Sequence, residues 1–206
     1  MQLLSAWENL GLETISLVHK DAHSLIGKNQ WERKMMVNDA LTSPIYIRSR
    51  LADLNRVFDQ YPDEKFILAG HSYGAYTSMI AAGMETAPGW LSMEVRTERV
   101  LGFIALSPPG PGERGIHELS WQNCTRPFLS IYGTQDYGVG GQDPSWRHAC
   151  YALTPHQNKL ETIVSGDHYC FLDGRNLDVL HSVTDSTYRY LELFHLSEEF
   201  LRLCPA

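Results

Sequence analysis

Short apolar runs alternate with segments of helical periodicity along most of the chain. The runs are rich in β-branched residues and lie at 14–19, 65–69, 100–106, 127–133 and 160–164. Segments typical of helices lie between them, at 47–58, 75–83 and 146–153. Near-continuously apolar strands that alternate with helices indicate a parallel sheet covered on both faces. The pattern therefore predicts an α/β fold built on a mostly parallel sheet of about five or more strands.

Both ends of the chain also have helical character. Residues 1–10 lack the basic start, long apolar stretch and cleavage site of a signal peptide. They are instead predicted to form a short amphipathic helix. Residues 185–203 place Tyr188, Leu191, Phe194 and Leu201 at roughly helical spacing, which predicts a closing helix or helix pair on the sheet. A length of 206 residues suits one domain, so a single domain over 1–206 is expected.

The run before position 70 leads into a sequence typical of a catalytic turn. The pentapeptide at 70–74, Gly-His-Ser-Tyr-Gly, lies between that run and a helical segment of small residues. A strand, a turn and a helix in this order lift a serine hydroxyl above the end of a sheet, so Ser72 is the candidate nucleophile. Gly70 and Gly74 are predicted to be required because a Cβ would clash where strand and helix cross. His71 is expected either to line the site or to pack beneath it.

Two further polar side chains follow later strands. The carboxyl ends of parallel strands form the ligand edge of a sheet, and Asp136 and His168 lie in the loops after 127–133 and 160–164. With Ser72 they follow the order nucleophile, acid, histidine that is expected of a hydrolase on such a sheet. His168 is the predicted base and Asp136 the carboxylate that orients it. Weaker alternatives for the acid are Asp167, Asp143 and Asp173.

Composition and motifs exclude several partners and cofactors. The formal net charge is −7, and no basic cluster stands out that could follow a nucleic-acid backbone. His148, Cys150 and His156 lack a standard zinc spacing, so no metal is proposed. Residues 110–115 match G-x-G-x-x-G, but the prolines at 108, 109 and 111 prevent the turn into a helix that a nucleotide site needs. No cofactor is therefore expected.

The location of the protein is predicted from its cysteines and its longest uncharged stretch. The four cysteines are far apart in the sequence, which favours free thiols in a reducing compartment and a cytoplasmic protein. Residues 66–84 carry no Asp, Glu, Lys or Arg, and this uncharged stretch is long enough to suggest a membrane span. Their Gly, Ser, His and Tyr content argues against one, so no membrane span is predicted.

Taken together, these motifs resemble those of the α/β-hydrolase superfamily, in particular its dienelactone-hydrolase-like and platelet-activating-factor-acetylhydrolase-like members. The resemblance rests on GHSYGAYT at 70–77, LSPPGPG at 106–112, GTQD at 133–136 and GDH at 166–168. It implies hydrolysis of a small ester, lactone or thioester through an acyl-enzyme on Ser72, without a cofactor. In that family the backbone N–H after the nucleophile, here that of Tyr73, is one oxyanion donor.

The chain departs from that family at its front, before the helix and strand that correspond to Ser5 to His19. Family members carry an earlier strand, followed by a His-Gly-type loop that supplies a second oxyanion donor. That strand lies between those corresponding to 14–19 and 65–69, so its loss would leave a gap or force the two to pair. Losing one donor typically costs about 2.7 to 4 kcal/mol in the transition state. An N-terminally shortened hydrolase fold is therefore expected.

Two functional hypotheses follow. The leading one is a serine hydrolase that acts on a small ester-type substrate. The alternative is a catalytically weak or inactive hydrolase-like binding protein, or a gene fragment, that lacks the second oxyanion donor. A peptidase or amidase ranks below the esterase because the sequence has no evident lid or propeller domain, and haloalkane chemistry is disfavoured because it needs a carboxylate in place of Ser72.

Overall fold

Four parallel strands form the centre of the structure. The computed structural model describes residues 2–23, 28–93, 95–155, 157, 159–171 and 197–204. The strands are β1 (Phe66–His71), β2 (Val100–Leu106), β3 (Phe128–Gly133) and β4 (Lys159–Val164). They pair in parallel in the order β1-β2-β3-β4, so every strand ends at the same edge of the sheet. These strands confirm four of the five predicted apolar runs.

Helices connect and cover the strands. They are α1 (Gln2–Asn9), α2 (Lys20–His23), α3 (Gln30–Thr42), α4 (Ile45–Gln60), α5 (Tyr73–Ala81) and α6 (Ala149–Leu153). A 3-10 helix, Pro144–His148, leads directly into α6, and another, Thr97–Arg99, leads into β2. The sequence predicted α1, α4, α5 and the region of α6. Of the predicted closing helix, residues 197–201 are helical and 185–196 lie outside the described residues.

The strands bury alternate side chains on two faces of the sheet. Phe103 and Phe128 lie on one face, within a core that includes buried residues of α4, α5 and α6. Ile104 and Leu129 lie on the other face, in a second core with Phe200 of the C-terminal helical turn. Period-two burial on both sides is what a strand between two helical layers requires. The predicted α/β fold, a parallel sheet with helices on both faces, is confirmed.

The predicted strand at 14–19 is wrong. Residues 12–19 have no regular secondary structure and border an open groove of about 680 Å³ beside the outer edge of β1. Ile15 and Val18 are 42% and 75% exposed, because no neighbouring strand among the described residues covers them. A β-branched composition favours a strand, but a strand also needs a partner for its backbone. A missing strand was expected either to leave a gap or to force the strands on its two sides to pair, and the structure has the gap.

The crossing of β1 and α5 leaves no room for a side chain at position 70. A Cβ on Gly70 would overlap the backbone carbonyl of Gly74 and lie 2.7 Å from the nitrogen of Ala75. Apart from its chain neighbours and the backbone of its own helix, a Cβ on Gly74 would meet no heavy atom within 4 Å. A side chain is therefore excluded at position 70 by backbone atoms, whereas position 74 has room for one.

This difference predicts opposite effects for two alanine substitutions only four positions apart. Gly70→Ala should reduce the free energy of unfolding by about 2 kcal/mol or more, because backbone must move to relieve the overlap. Gly74→Ala, in the first turn of α5, should leave stability unchanged or raise it by about 0.5 to 1 kcal/mol. Urea unfolding followed by circular dichroism measures both, and equal losses in the two variants would contradict the explanation.

Candidate active site

Ser72 lies on the turn between β1 and α5. Its backbone has φ 55° and ψ −110°, a strained conformation for a residue with a side chain. Its N–H donates to the carbonyl of Leu106 on β2 at 2.8 Å, and its carbonyl accepts from the N–H of Tyr76 at 3.0 Å. Tyr73 is the first residue of α5, so its own N–H has no carbonyl one turn earlier to bind. The turn is thus held on both sides, beside the positive end of a helix.

Asp136 and His168 are in contact at the same edge of the sheet. Asp136 is fully buried just after β3, and its Oδ1 lies 2.8 Å from Nδ1 of His168. The loop after β4 reaches it by folding back across the end of β3, where Gln135 N–H donates to the carbonyl of Gly166 at 2.8 Å. A Cβ on Gly133 would overlap the backbone of Gly166. Gly133 therefore allows the approach of His168, a role that the sequence analysis missed.

Two of the three alternatives for the acid have other hydrogen-bond partners in the structure. Asp167 Oδ1 accepts from the N–H of Tyr169 at 2.9 Å, in the loop that carries His168. Asp143 caps the 3-10 helix before α6 through the N–H of Ser145, also at 2.9 Å. Asp173 lies outside the described residues. Among the described candidates, the carboxylate bonded to Nδ1 of His168 is that of Asp136.

His71 joins the serine turn to the loop of His168. Its Nε2 lies 2.7 Å from the carbonyl oxygen of His168, and the two imidazole centres are 4.7 Å apart. Because a carbonyl can only accept, Nε2 of His71 carries the proton. Burial, together with the nearby His168 ring, lowers the pKa of His71 from 6.5 to about 4, so His71 is neutral at pH 7. Of the two expectations for this residue, packing beneath the site fits this contact better.

Arg147 is a buried cation at the site that the sequence analysis missed. It lies in the 3-10 helix Pro144–His148 and is 3% exposed. Its Nη2 lies 2.8 Å from Oδ1 of Asp136, and its Nε donates to the backbone carbonyl of Asp136 at 2.9 Å. Its Nη1 donates to the carbonyls of Ser107 and Pro108 at 2.9 and 3.1 Å. No motif marks this arginine, because only the folded loops bring its partners together.

Asp136 remains a carboxylate despite its burial. Burial alone raises the pKa of this group, but the side chains of His168 and Ser107 and the charge of Arg147 lower it below its usual value. Asp136 Oδ2 and Ser107 Oγ are both buried without a hydrogen-bond partner of good geometry. His168 and Arg147 therefore both contact the carboxylate through the same oxygen, Oδ1.

The remaining predictions on metals and membranes concern other parts of the chain. His148 Nδ1 lies 2.6 Å from Glu161 Oε2, Cys150 is fully buried two positions after His148, and His156 lies outside the described residues. In the ranges that the structure describes, no three His, Cys, Asp or Glu side chains form a group that could hold a metal ion. Within those ranges no helix has both the length and the apolar character needed to cross a membrane.

Comparison with known proteins gives similarity in structure only. No family model matches the chain, and a search of curated proteins finds no match. A serine hydrolase homologue from Coxiella burnetii superposes with a TM-score of 0.54 at 18% identity, over 98% of this chain and 73% of that one. The α/β hydrolase MGS-MChE2, from a lagoon-sediment metagenome, gives 0.52 at 15%, over 76% and 69%. A monoacylglycerol lipase from Paleococcus ferrophilus gives 0.51 at 13%, over 76% of each chain. The likeness shows an α/β-hydrolase fold.

The lowered pKa of His71 predicts a loss of stability in mild acid. Between pH 6.5 and 4 the unfolded chain binds a proton at this residue that the folded protein does not, so the free energy of unfolding falls as the pH falls. The contribution of His71 to this loss at pH 5 is on the order of 2 kcal/mol. His71→Gln, which can still donate to the same carbonyl, should lose correspondingly less between pH 7 and 5. Urea unfolding at both pH values measures this, and parallel losses would contradict it.

Proposed function

We propose that the protein is a serine hydrolase that cleaves a small carboxylic ester, lactone or thioester through an acyl-enzyme on Ser72. The observation that carries the proposal is the strained strand-to-helix turn at Ser72, on the sheet edge where the buried Asp136 contacts His168. A strained turn, a buried carboxylate and an imidazole on one edge suit an activated hydroxyl. The hydrolase fold adds support but does not identify the substrate.

In the proposed reaction His168 moves the proton and Ser72 carries the acyl group. Nε2 of His168 takes the hydroxyl proton as the oxygen of Ser72 bonds to the substrate carbonyl carbon. The negative oxygen of the tetrahedral intermediate accepts from the N–H of Tyr73 at the start of α5. The alcohol or thiol then leaves with the proton from His168. Water, deprotonated by the same nitrogen, attacks the acyl-enzyme and releases the acid.

Asp136 supports this cycle through the other ring nitrogen. With Nδ1–H donating to Asp136 Oδ1, the neutral ring of His168 leaves Nε2 without a proton and able to act as a base. The carboxylate also stabilises the imidazolium that forms in each half of the cycle. Its lowered pKa keeps that charge present at neutral pH.

The groove beside β1 supports a second candidate function, that of a weak hydrolase-like binding protein. Gly70, His71 and Gly74 line it together with residues 11–17, and no strand among the described residues occupies it. A second oxyanion donor would enter the site from this side in the family that the motifs resemble. With one donor, turnover is expected to be slower by roughly a hundred- to thousandfold than with two.

A fluorophosphonate probe tests the proposed function. The wild-type protein should be labelled on Ser72, as located by mass spectrometry of peptides, because the probe requires an activated serine. Ser72→Ala should abolish labelling and reduce hydrolysis of p-nitrophenyl acetate and butyrate by about a thousandfold or to background. Ser49→Ala, which changes an exposed serine on α4, should leave both unchanged.

The same experiment separates the two candidates. No labelling of Ser72 in a protein that is folded by circular dichroism, or equal hydrolysis by Ser72→Ala, would overturn the hydrolase and leave the binding protein. Labelling that proceeds slowly but only at Ser72 would support a hydrolase with one oxyanion donor.

A further inference from the structure

The guanidinium of Arg147 connects the loops that follow three neighbouring strands. It donates to the carbonyls of Ser107 and Pro108 after β2, and to those of Asp136 and Tyr137 after β3, at 2.9 to 3.3 Å. Its Nη2 also reaches the side chain of His168 after β4. An arginine offers five N–H donors in a fixed planar fork, so one side chain can fix several groups at once.

Oδ1 of Asp136, Nδ1 of His168 and Nη2 of Arg147 form a close triangle. Nδ1 of His168 and Nη2 of Arg147 each lie 2.8 Å from this oxygen, and they lie 3.1 Å from each other. When His168 is protonated at Nδ1, both nitrogens are donors and share one acceptor. A fixed positive charge then lies against the ring that must itself become positive during catalysis.

We propose that Arg147 is a positioning residue that fixes the carboxylate of Asp136 and opposes protonation of His168. The inference rests on the proposed function, since it assigns Arg147 a part in the same proton transfer. The carboxylate of Asp136 attracts a positive charge on the ring of His168. Arg147 balances part of that attraction, because like charges at this distance disfavour each other.

The other groups that face His168 do not supply such a charge. His71, from the end of β1, is neutral and donates to the carbonyl of His168. Asp167, its neighbour in the chain, accepts from the N–H of Tyr169, whose ring meets that of His168 edge to face at 5.3 Å. Asp136 is the anion in direct contact. In the part of the chain that the structure describes, Arg147 is thus the cation within hydrogen-bond distance of the ring.

Two substitutions at position 147 separate charge from shape. Arg147→Met removes the charge but keeps an unbranched side chain, and Arg147→Lys keeps the charge but loses the planar fork. Arg96→Met is the matched control, because Arg96 pairs with Asp59 at 2.6 Å on the surface. Circular dichroism and thermal unfolding establish that each variant is folded before it is assayed.

The first readout is the pH profile of ester hydrolysis. For Arg147→Met, the acidic limb of kcat/KM should move to higher pH by about one unit, because the charge that opposes protonation is gone. At the pH optimum kcat should fall about tenfold while KM stays within about twofold, since Arg147 is buried and donates to groups of the protein itself. Arg147→Lys should lose a similar part of kcat but keep the acidic limb nearer that of the wild type, and Arg96→Met should match the wild type.

The second readout needs no turnover. Nitrogen-15 NMR of the histidine rings should show the neutral His168 of the wild type protonated at Nδ1, with its titration moved to higher pH in Arg147→Met and less so in Arg147→Lys. Because this measures the imidazole directly, it tests Arg147 even if the ester assays fail. Labelling of Ser72 tests the proposed function separately, so the two failures are distinguishable.

Several outcomes would overturn the proposal. A folded Arg147→Met with the acidic limb and the His168 titration of the wild type would show that Arg147 acts on the fold alone. Equal shifts in the Met and Lys variants would show that charge is not responsible. If Arg147→Met does not fold, Arg147→Gln carries the same expectations. A wild-type His168 whose neutral ring is protonated at Nε2 would contradict the triangle without any variant.

Discussion

The loops at the edge of the sheet where the site lies are arranged around one fully buried carboxylate. An isolated charge in the interior is costly, so Asp136 must be matched by groups that the fold brings to it. Arg147 and His168 meet this need through one oxygen, and Arg147 extends it to the loop after β2 through the carbonyls of Ser107 and Pro108. The loops are therefore held together by the requirement to neutralise a single charge.

The same requirement explains two backbone features at this edge. Ser107 adopts φ 52°, and its carbonyl is turned to accept from Arg147. Gly133 has no Cβ, which lets the loop after β4 cross the end of β3 and bring His168 to the carboxylate. Strain at one strand end and a missing side chain at another are tolerated because the ionic contact between the loops compensates for them.

Sequence patterns predicted features that depend on neighbouring residues in the chain. They missed features that depend on contacts between loops distant in sequence. The placement of Ser72, Asp136 and His168 at one edge of the sheet could be predicted because each follows an apolar run that forms a parallel strand. Arg147 and Gly133 could not, since their partners are defined only once the loops cross. The prediction of a strand at 14–19 was wrong because the composition of a segment does not indicate whether a neighbouring strand is present to pair with it. Helix α3 was not predicted because none of its residues is buried and it has no apolar face to detect. The capping box of Asn29 and Glu32 nevertheless marks its start.

The structure also separates the two halves of the proposed chemistry. The proton-transfer pair depends on the interior of the sheet, since Ser72 is anchored to β2 through Leu106 and His168 reaches Asp136 across β3. In the proposed reaction Tyr73 N–H, at the start of α5, is one oxyanion donor, and a second donor would come from the side where the outer edge of β1 borders the groove. The contact between Asp136 and His168 lies after β3 and β4, away from that groove. In the proposed reaction, activation of the nucleophile and stabilisation of the transition state would thus depend on different parts of the fold that meet at Ser72.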